Sequence, residues 1–539
     1  MMRRGLGCFL VAIVIASCTP DAVDSPRTAD SPRTAGGQDP PIRDCSDIRK
    51  LVGRVKRGWY PGRSADLSFV GRDPHFVGVA SMPPHTGPWD FLTDVPLVAF
   101  GPGIIRSRGE IERLARMVDL APTAAEVIGF DGWPQRAGRV LDEALVPNAP
   151  TPRLVVTLVW DGGGDNTLEA HPKSWPYLAR LMNRGTSWLE MTIGSTPSNT
   201  PPIHATLGTG AWPSSHGIVG VKHRAEDGEF VDPYVDVDPA NLETTTLADL
   251  YDPSESNVPE IALVGVTPWH LGMIGHGATA AGGDADVALL LDDAGQSWGN
   301  AALYEIPVVE GGAALEQKAT ALDAADGKQD REWAGHPVDE TDVLYSSPAF
   351  VAFQQQVIED HIVEKDLGVD EVPDLLYVNM KQPDDAGHKW GATSSEVGAV
   401  LRSTDDALRR LVRFLNTIVG PERWVLFLTA DHGQMLYPHQ SGGYAIGGTK
   451  LANDVNTRFD KTDDGLPLVE RVTAQGAYVD FDQLKTNDVA LAQVARWLVD
   501  YTVRRNLNGD PPPDHLLGRE DELLFDGILI RGRKAVLNC

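Results

Sequence analysis

Residues of the kind that bind divalent cations follow three separate apolar stretches of the chain. Residues 154–160, 375–379 and 424–429 are mostly apolar. The residues that follow them are Asp161 after the first stretch, Asp384 and His388 after the second, and Asp431 and His432 after the third. Carboxylate oxygens and imidazole nitrogens are common ligands of divalent metals. One Asp-Gly pair alone is ordinary turn chemistry, but the three stretches together predict a metal site.

A hydroxyl group between the first and second stretches is a candidate nucleophile. Thr200 is followed by Pro201 and Pro202, a pattern that is also compatible with a simple turn. Beside a bound cation, however, the pKa of a hydroxyl falls and its oxygen attacks more readily at neutral pH. We therefore predict Thr200 as the nucleophile.

The apolar stretches alternate with segments of helical periodicity, which indicates the fold class. Beyond the three stretches, the pattern predicts a strand at 96–100 and helices near 118–128, 175–183 and 405–418. Buried strands that alternate with helices predict an α/β fold with a mostly parallel central sheet and helices on both faces. Functional residues of such folds gather at the carboxyl ends of strands, where the metal-ligand candidates fall.

The charge of the chain limits the partners that it can have. Its 539 residues carry a formal net charge of −28 at pH 7, with a pI near 4.8. Such a field repels nucleic-acid backbones and anionic membrane surfaces. We expect no nucleic-acid role and predict no protein partner, whereas a small phosphorylated substrate can still be held locally by metal ions.

The first 44 residues indicate export. Residues 1–18 combine two arginines with a short apolar run that ends at Cys18, which predicts a lipoprotein-type signal peptide with Cys18 as the lipidated residue. An ordinary secretory signal is the alternative. Residues 19–44 are rich in Pro, Asp, Ser and Thr and predict a disordered tether. We expect an exported protein, either anchored by lipid to the outer face of the cell membrane or in the periplasm, or secreted.

Two cysteines remain beyond the signal, one near each end of the mature chain. Cys45 and Cys539 could form a disulfide in an oxidising compartment. Two unrelated surface thiols are the alternative, and the sequence leaves both open.

The metal-ligand candidates and the threonine region together resemble the alkaline phosphatase superfamily. The most similar branch is the type I phosphodiesterase/nucleotide pyrophosphatase group, whose nucleophile is threonine. The motifs that carry the resemblance are Thr200-Pro-Pro-Ile-His204, Leu207-x-Thr209-Gly210, Ser215-His-Gly-Ile218, Asp384-x-x-x-His388 and Asp431-His432. Residues 153–435 resemble the N-terminal and central blocks of that family, within a catalytic domain predicted over 45–539.

The resemblance implies a hydrolase of phosphate esters with two metal ions. One ion would be held by Asp161, Thr200, Asp431 and His432, and the other by Asp384, His388 and a third histidine. Three imidazoles favour Zn²⁺ over Mg²⁺. Thr200 would attack phosphorus to give a phosphothreonine intermediate, which water would then hydrolyse.

The third histidine is predicted from a block that lies at an unexpected end of the chain. In the family it precedes a Val-Pro-Leu strand, a Gly-Pro-Gly turn and an Asp-x-x-Pro-Thr helix, and here those features follow His85 rather than His432. Residues 58–130 therefore resemble the C-terminal block of the family, and we expect a circular permutation with His85 as the ligand. His439 and His515 are the alternatives.

One departure from the family concerns substrate recognition. The asparagine that usually follows the His-Gly-Ile motif and binds a phosphoryl oxygen is absent, and Asn199 or Lys222 would take its place. Phosphomonoesterase activity on the same fold is therefore an alternative to phosphodiesterase activity, and a non-catalytic surface lipoprotein is a further one. Residues 267–333, which include His270 and His276, are predicted to form a cap or insertion.

Overall fold

A computed structural model describes residues 44–462 and 464–539. The predicted signal peptide, Cys18 and the tether up to residue 43 lie outside the described residues. Asp44, the last residue of the predicted tether, caps the first helix, because its Oδ1 accepts a hydrogen bond of 2.9 Å from the backbone N–H of Ser46. Within the described residues no helix combines the length and the apolar composition needed to cross a bilayer.

The strands are numbered in chain order. They are β1 Leu67–Gly71, β2 Phe76–Val77, β3 Leu97–Phe100, β4 Gly109–Arg116, β5 Leu154–Trp160, β6 Thr186–Thr192, β7 His223–Arg224, β8 Phe230–Val231, β9 Ile261–Gly265, β10 Val287–Leu291, β11 Ser297–Trp298, β12 Glu332–Trp333, β13 His336–Pro337, β14 Asp374–Met380, β15 Trp424–Thr429, β16 Ala445–Ile446, β17 Val469–Thr473, β18 Gly476–Val479, β19 Phe525–Ile530 and β20 Lys534–Leu537.

The helices are numbered in the same way. They are α1 Cys45–Gly58, α2 Asp90–Thr93, α3 Leu120–Ile128, α4 Asp165–Ala170, α5 Pro176–Arg184, α6 Thr200–Thr209, α7 Pro213–His216, α8 Leu247–Ser254, α9 Gly312–Asp323, α10 Thr341–Tyr345, α11 Pro348–Glu364, α12 Gln382–Trp390, α13 Ser395–Ile418, α14 Pro438–Ser441, α15 Gly448–Phe459, α16 Phe481–Thr486, α17 Leu491–Val499 and α18 Val503–Leu507.

The largest sheet has nine strands in the order β11-β10-β9-β14-β5-β15-β3-β6-β4. The pairs β10–β9, β9–β14, β14–β5, β5–β15 and β6–β4 are parallel, whereas β3 runs antiparallel to both neighbours and β11 antiparallel to β10. The predicted α/β fold with a mostly parallel central sheet is confirmed. The apolar composition of residues 96–100 predicted the strand β3 but contained no information about its direction.

Helices cover both faces of this sheet, which is why its central strands are mostly apolar. All seven residues of β5 are buried, and they alternate between two cores. Val155 and Val159 pack in the core that contains residues of α3, α6 and α8, whereas Val156 and Leu158 pack in the core that contains residues of α11 and α13. A strand buried on both faces has no polar side, as parallel sheets require.

The segment predicted as a cap belongs largely to the body of the fold. Residues 287–291 form β10, which pairs in parallel with β9, and β11 extends the sheet by one more strand. Residues 268–273 form a 3-10 helix, and Leu271 and Met273 there share a core with Ile203 of α6. The five apolar residues of β10 are all buried, because a strand of this composition is stabilised by inclusion in a sheet.

A second sheet joins the two ends of the described chain. It is antiparallel, in the order β17-β18-β1-β19-β20, and its core includes residues of α15, α16 and α17. Strand β1 lies between β18 and β19, so an early segment of the chain is inserted between two late ones. Cys45, at the start of α1, forms a disulfide with Cys539, with a distance of 5.4 Å between their Cα atoms.

Removal of this disulfide should lower the stability of the protein. We expect Cys539→Ser to reduce the free energy of unfolding by about 2–4 kcal/mol, because the link restricts the unfolded chain. Thermal unfolding of the wild type and the variant, with and without dithiothreitol, measures the effect. Reductant should lower the midpoint of the wild type and leave Cys539→Ser unchanged. Equal unfolding midpoints for the wild type and Cys539→Ser in the absence of dithiothreitol would contradict a stabilising role of the disulfide.

Candidate active site

The predicted metal ligands meet at one edge of the central sheet. Strands β14, β5 and β15 are adjacent and parallel, so their carboxyl ends lie side by side. Asp161 follows β5 directly, Asp431 and His432 follow β15, and Asp384 and His388 lie four residues apart on α12, which begins two residues after β14. The sheet therefore brings together residues that are far apart in the sequence.

The first group of ligand atoms comes from Asp161, Asp431 and His432. His432 Nε2 lies 3.5 Å from Asp161 Oδ1 and 3.3 Å from Asp431 Oδ2. The Nδ1–H of His432 donates a hydrogen bond of 3.1 Å to the carbonyl oxygen of Gly433, which leaves Nε2 free to bind a cation. Gly162, at a φ of +67°, donates its N–H to Asp431 Oδ1 at 3.0 Å.

The second group comes from His85, Asp384 and His388. The Nε2 atom of His85 lies 3.7 Å from Asp384 Oδ1, and that of His388 lies 3.5 Å from Asp384 Oδ2. His85 Nδ1–H donates a hydrogen bond of 2.8 Å to the carbonyl oxygen of Ser198, so Nε2 faces the group. Burial, together with the nearby His432, lowers the pKa of His85 to about 3, and a neutral imidazole is the form that binds metal.

The two groups are in direct contact with each other. The rings of His85 and His432 are stacked, with 3.5 Å between their centroids. Of the three histidines proposed for this position, His85 alone is in a ligand group within the described residues. His439 stacks on Tyr437, and His515 donates to the carbonyl oxygen of Gly443.

Thr200 begins α6 and is buried, with 1% of its surface exposed. Pro201 and Pro202 follow it and have no N–H groups, so α6 offers an anion such as a phosphoryl group mainly the positive end of the helix dipole. Asn199 precedes Thr200, is also buried, and its Oδ1 has no hydrogen-bond partner. Lys222, the other predicted substrate contact, is exposed in the loop before β7, and no contact with the ligand groups is found for it in the described part of the chain.

A buried lysine that the sequence patterns did not single out lies between the two groups. Lys381 follows β14 and donates hydrogen bonds to Asp161 Oδ1 at 2.9 Å, Asp384 Oδ2 at 2.6 Å and Thr200 Oγ1 at 3.2 Å. Burial by itself raises the pKa of Asp161, but the ammonium of Lys381 holds it well below its usual range. The signal available in the sequence was a basic residue at the end of an apolar strand.

Polar residues also support Asp161 from the side that faces the core. Asn379 donates to Asp161 Oδ2 at 2.9 Å, and its Nδ2 lies 2.9 Å from His204 Nε2. His270, predicted as part of a cap, is fully buried with its Nε2 3.8 Å from Asp161 Oδ2. These contacts fix one oxygen of the carboxylate and leave Oδ1 directed toward the ligand groups.

The residues present fit divalent cations. Asp431 Oδ2, His432 Nε2 and Asp384 Oδ1 are buried atoms without a hydrogen-bond partner. Burying unpaired polar atoms is costly unless something binds them. Because these atoms belong to both groups, the chemistry of the donors supports a cation in each.

Comparison with known proteins agrees with this geometry. Residues 155–470 match the family model of type I phosphodiesterase/nucleotide pyrophosphatase. Alkaline phosphatase PhoD from Zymomonas mobilis is 32% identical over 110 residues, which are 20% of this chain and 18% of the relative. Alkaline phosphatase PafA from Elizabethkingia meningoseptica is 35% identical over 78 residues, 14% of each chain. These alignments span less than a fifth of either relative.

Among solved structures, wild-type alkaline phosphatase PafA has a TM-score of 0.55 and 18% sequence identity, over 71% of this chain and 85% of that chain. At this identity the likeness shows the fold. Because the family model matches more than half of the chain, the protein belongs to the type I phosphodiesterase/nucleotide pyrophosphatase family, within the alkaline phosphatase superfamily.

Replacement of His85 should weaken metal binding. We expect His85→Ala to raise the dissociation constant for Zn²⁺ at least about tenfold, because a ligand atom is lost, while His439→Ala leaves it unchanged. Competition with a chromogenic chelator measures both proteins under the same conditions. Weaker binding by His439→Ala or His515→Ala, with normal binding by His85→Ala, would show that the ligand was wrongly assigned.

Proposed function

We propose that the protein is a metal-dependent hydrolase of phosphate esters, with phosphodiesterase or nucleotide pyrophosphatase activity. The observation that carries the proposal is the position of Thr200 Oγ1. It lies at the N-terminus of α6 and shares Lys381 Nζ with Asp161 and Asp384, one carboxylate from each ligand group. A hydroxyl at a helix N-terminus, beside two groups of candidate metal ligands, is suited to attack on phosphorus.

The proposed metal content is two divalent ions, with Zn²⁺ as the metal that the donor set favours. Asp161, Thr200, Asp431 and His432 would hold one ion, and His85, Asp384 and His388 the other. Three imidazoles in the set favour zinc over magnesium. When bound, the ions would stabilise the negative charge that develops on the phosphoryl oxygens.

In the proposed reaction the chain supplies the nucleophile and its orientation. Thr200 Oγ1 forms a bond to phosphorus while the bond to the leaving oxygen breaks, and the hydroxyl proton ends on that oxygen, which departs with its substituent; the product is phosphothreonine. The positive end of the α6 dipole would favour the negatively charged phosphoryl group at Thr200. Water then cleaves the phosphothreonine, releases the phosphate product and restores the threonine hydroxyl.

Phosphomonoesterase activity is the second candidate. Three of the curated relatives that match are named alkaline phosphatases and one is named a calcium-transporting ATPase, and the solved PafA structure is that of an alkaline phosphatase. Asn199 is buried directly before Thr200, and its amide Nδ2–H could donate to a phosphoryl oxygen in either activity. We place diester hydrolysis first because the family model is that of a phosphodiesterase.

Two further proposals concern the history and location of the chain. His85 reaches the second ligand group from a block that precedes β5, and β1 is inserted between β18 and β19. Both observations support a circular permutation of the family fold.

The pairing of Cys45 with Cys539 supports export to an oxidising compartment, and lipidation at Cys18 stays a prediction.

A substrate comparison tests the proposed activity. The Zn²⁺-loaded protein should hydrolyse bis(p-nitrophenyl) phosphate with a higher kcat/KM than p-nitrophenyl phosphate, and removal of metal with a chelator should abolish both reactions. A preference for the monoester would establish the second candidate instead. Tight zinc binding without hydrolysis of either ester would contradict catalysis and favour a binding protein.

Replacement of Thr200 tests the nucleophile. We expect Thr200→Ala to lower kcat by roughly three orders of magnitude or more, whereas Thr200→Ser keeps a hydroxyl and retains part of the activity. The phosphorylated residue can be trapped by acid quench and located by mass spectrometry. The neighbouring Thr206, which donates to the carbonyl oxygen of Pro202 inside α6, provides the control variant Thr206→Val. Full activity in Thr200→Ala would overturn the assignment.

A further inference from the structure

The ammonium group of Lys381 contacts oxygen atoms that belong to both proposed ligand groups. Its three acceptors are Asp161 Oδ1 at 2.9 Å, Asp384 Oδ2 at 2.6 Å and Thr200 Oγ1 at 3.2 Å. Asp161 and Thr200 belong to the first group and Asp384 to the second. Lys381 therefore occupies one carboxylate oxygen in each group, while Asp384 Oδ1 and Asp431 Oδ2 have no hydrogen-bond partner.

Lys381 is not a surface side chain that happens to reach the site. Only 8% of the side chain is exposed, and the carboxylates that it contacts are 0% and 2% exposed. A buried ammonium is costly unless carboxylates pair with it. The position of Lys381 next to the carboxyl end of β14, one residue before α12, gives it little freedom to leave the cluster.

Charge balance indicates what such a lysine does. Asp161, Asp384 and Asp431 are three buried carboxylates, and one ammonium offsets one of their charges. One divalent ion would offset much of the negative charge that remains. A second divalent ion would have to share these carboxylates with the ammonium, and like charges in a buried space repel strongly.

We propose that Lys381 is a resident cation of the active site that competes with the second of the two divalent ions for Asp161 and Asp384. Zinc then binds in two unequal steps, one tight and one weakened by the ammonium. The inference rests on the proposed two-metal site. It adds that Lys381 sets the affinity of that site for the second ion. Lys381 also stabilises the buried carboxylates of Asp161 and Asp384 whenever fewer than two ions are bound.

The inference predicts opposite effects of one substitution on two quantities. Lys381→Met removes the charge and keeps an unbranched chain of similar length. The dissociation constant of the weaker zinc-binding step should fall at least tenfold, because the ammonium group no longer competes with the ion. The melting temperature of the chelator-treated protein should fall by a few degrees, because the buried carboxylates lose their partner.

Lys389→Met is the matched control. Lys389 lies on α12, the helix that begins directly after Lys381, carries the same charge and pairs with Asp342 instead of the ligand groups. Its replacement should leave both zinc steps unchanged, which separates a local contact from the general loss of one positive charge. If Lys381→Met does not fold, Lys381→Gln provides a polar neutral side chain for the same measurements.

Titration against a chromogenic chelator, together with native mass spectrometry, gives affinity and stoichiometry without an activity assay. Two equal, tight zinc steps in the wild type would overturn the inference, and so would an unchanged or weaker second step in Lys381→Met. Zinc binding to neither protein would overturn the two-metal proposal as well. Equal tight binding by both would overturn the role of Lys381 alone.

Discussion

Three carboxylates are buried close together at one edge of the central sheet. The other residues of the site offset the free-energy cost of burying these charges. Asp161, Asp384 and Asp431 are each 2% exposed or less. Unpaired anions in such surroundings are strongly unfavourable. Lys381, three imidazoles and the N–H of Gly162 surround them, so each oxygen either has a positive or donating neighbour or is directed at a proposed cation.

The central sheet makes this concentration of charge possible. Its strands β14, β5 and β15 are mostly apolar and packed on both faces, so their burial does not rely on the polar residues that follow them. Parallel neighbours end at the same edge, and the site therefore needs no long connecting loops. Helices α6 and α12 add Thr200, Asp384 and His388 from elements that begin at this edge.

The second sheet contributes to the site indirectly. It joins β1 to β19 and lies near the disulfide that links Cys45 to Cys539. The segment between β2 and α2 carries His85, whose main chain and Nδ1 both bond Ser198, two residues before Thr200. A candidate metal ligand from the early part of the chain is thus tied to the segment that leads into Thr200.

The sequence by itself determined the residue types and the strand ends. Apolar runs long enough to be buried strands predicted the sheet, and the ligand-type residues after β5, β14 and β15 predicted which edge carries the site, because periodicity and position at a strand end are local properties. Only the tertiary structure decided three other features. They are the direction of β3, the inclusion of residues 287–291 in the sheet and the exposure of Lys222. It also decided the contacts of Lys381 and of His270 with Asp161. Each depends on which segments pack together over long separations in the chain, and a local pattern carries no information about its distant neighbours.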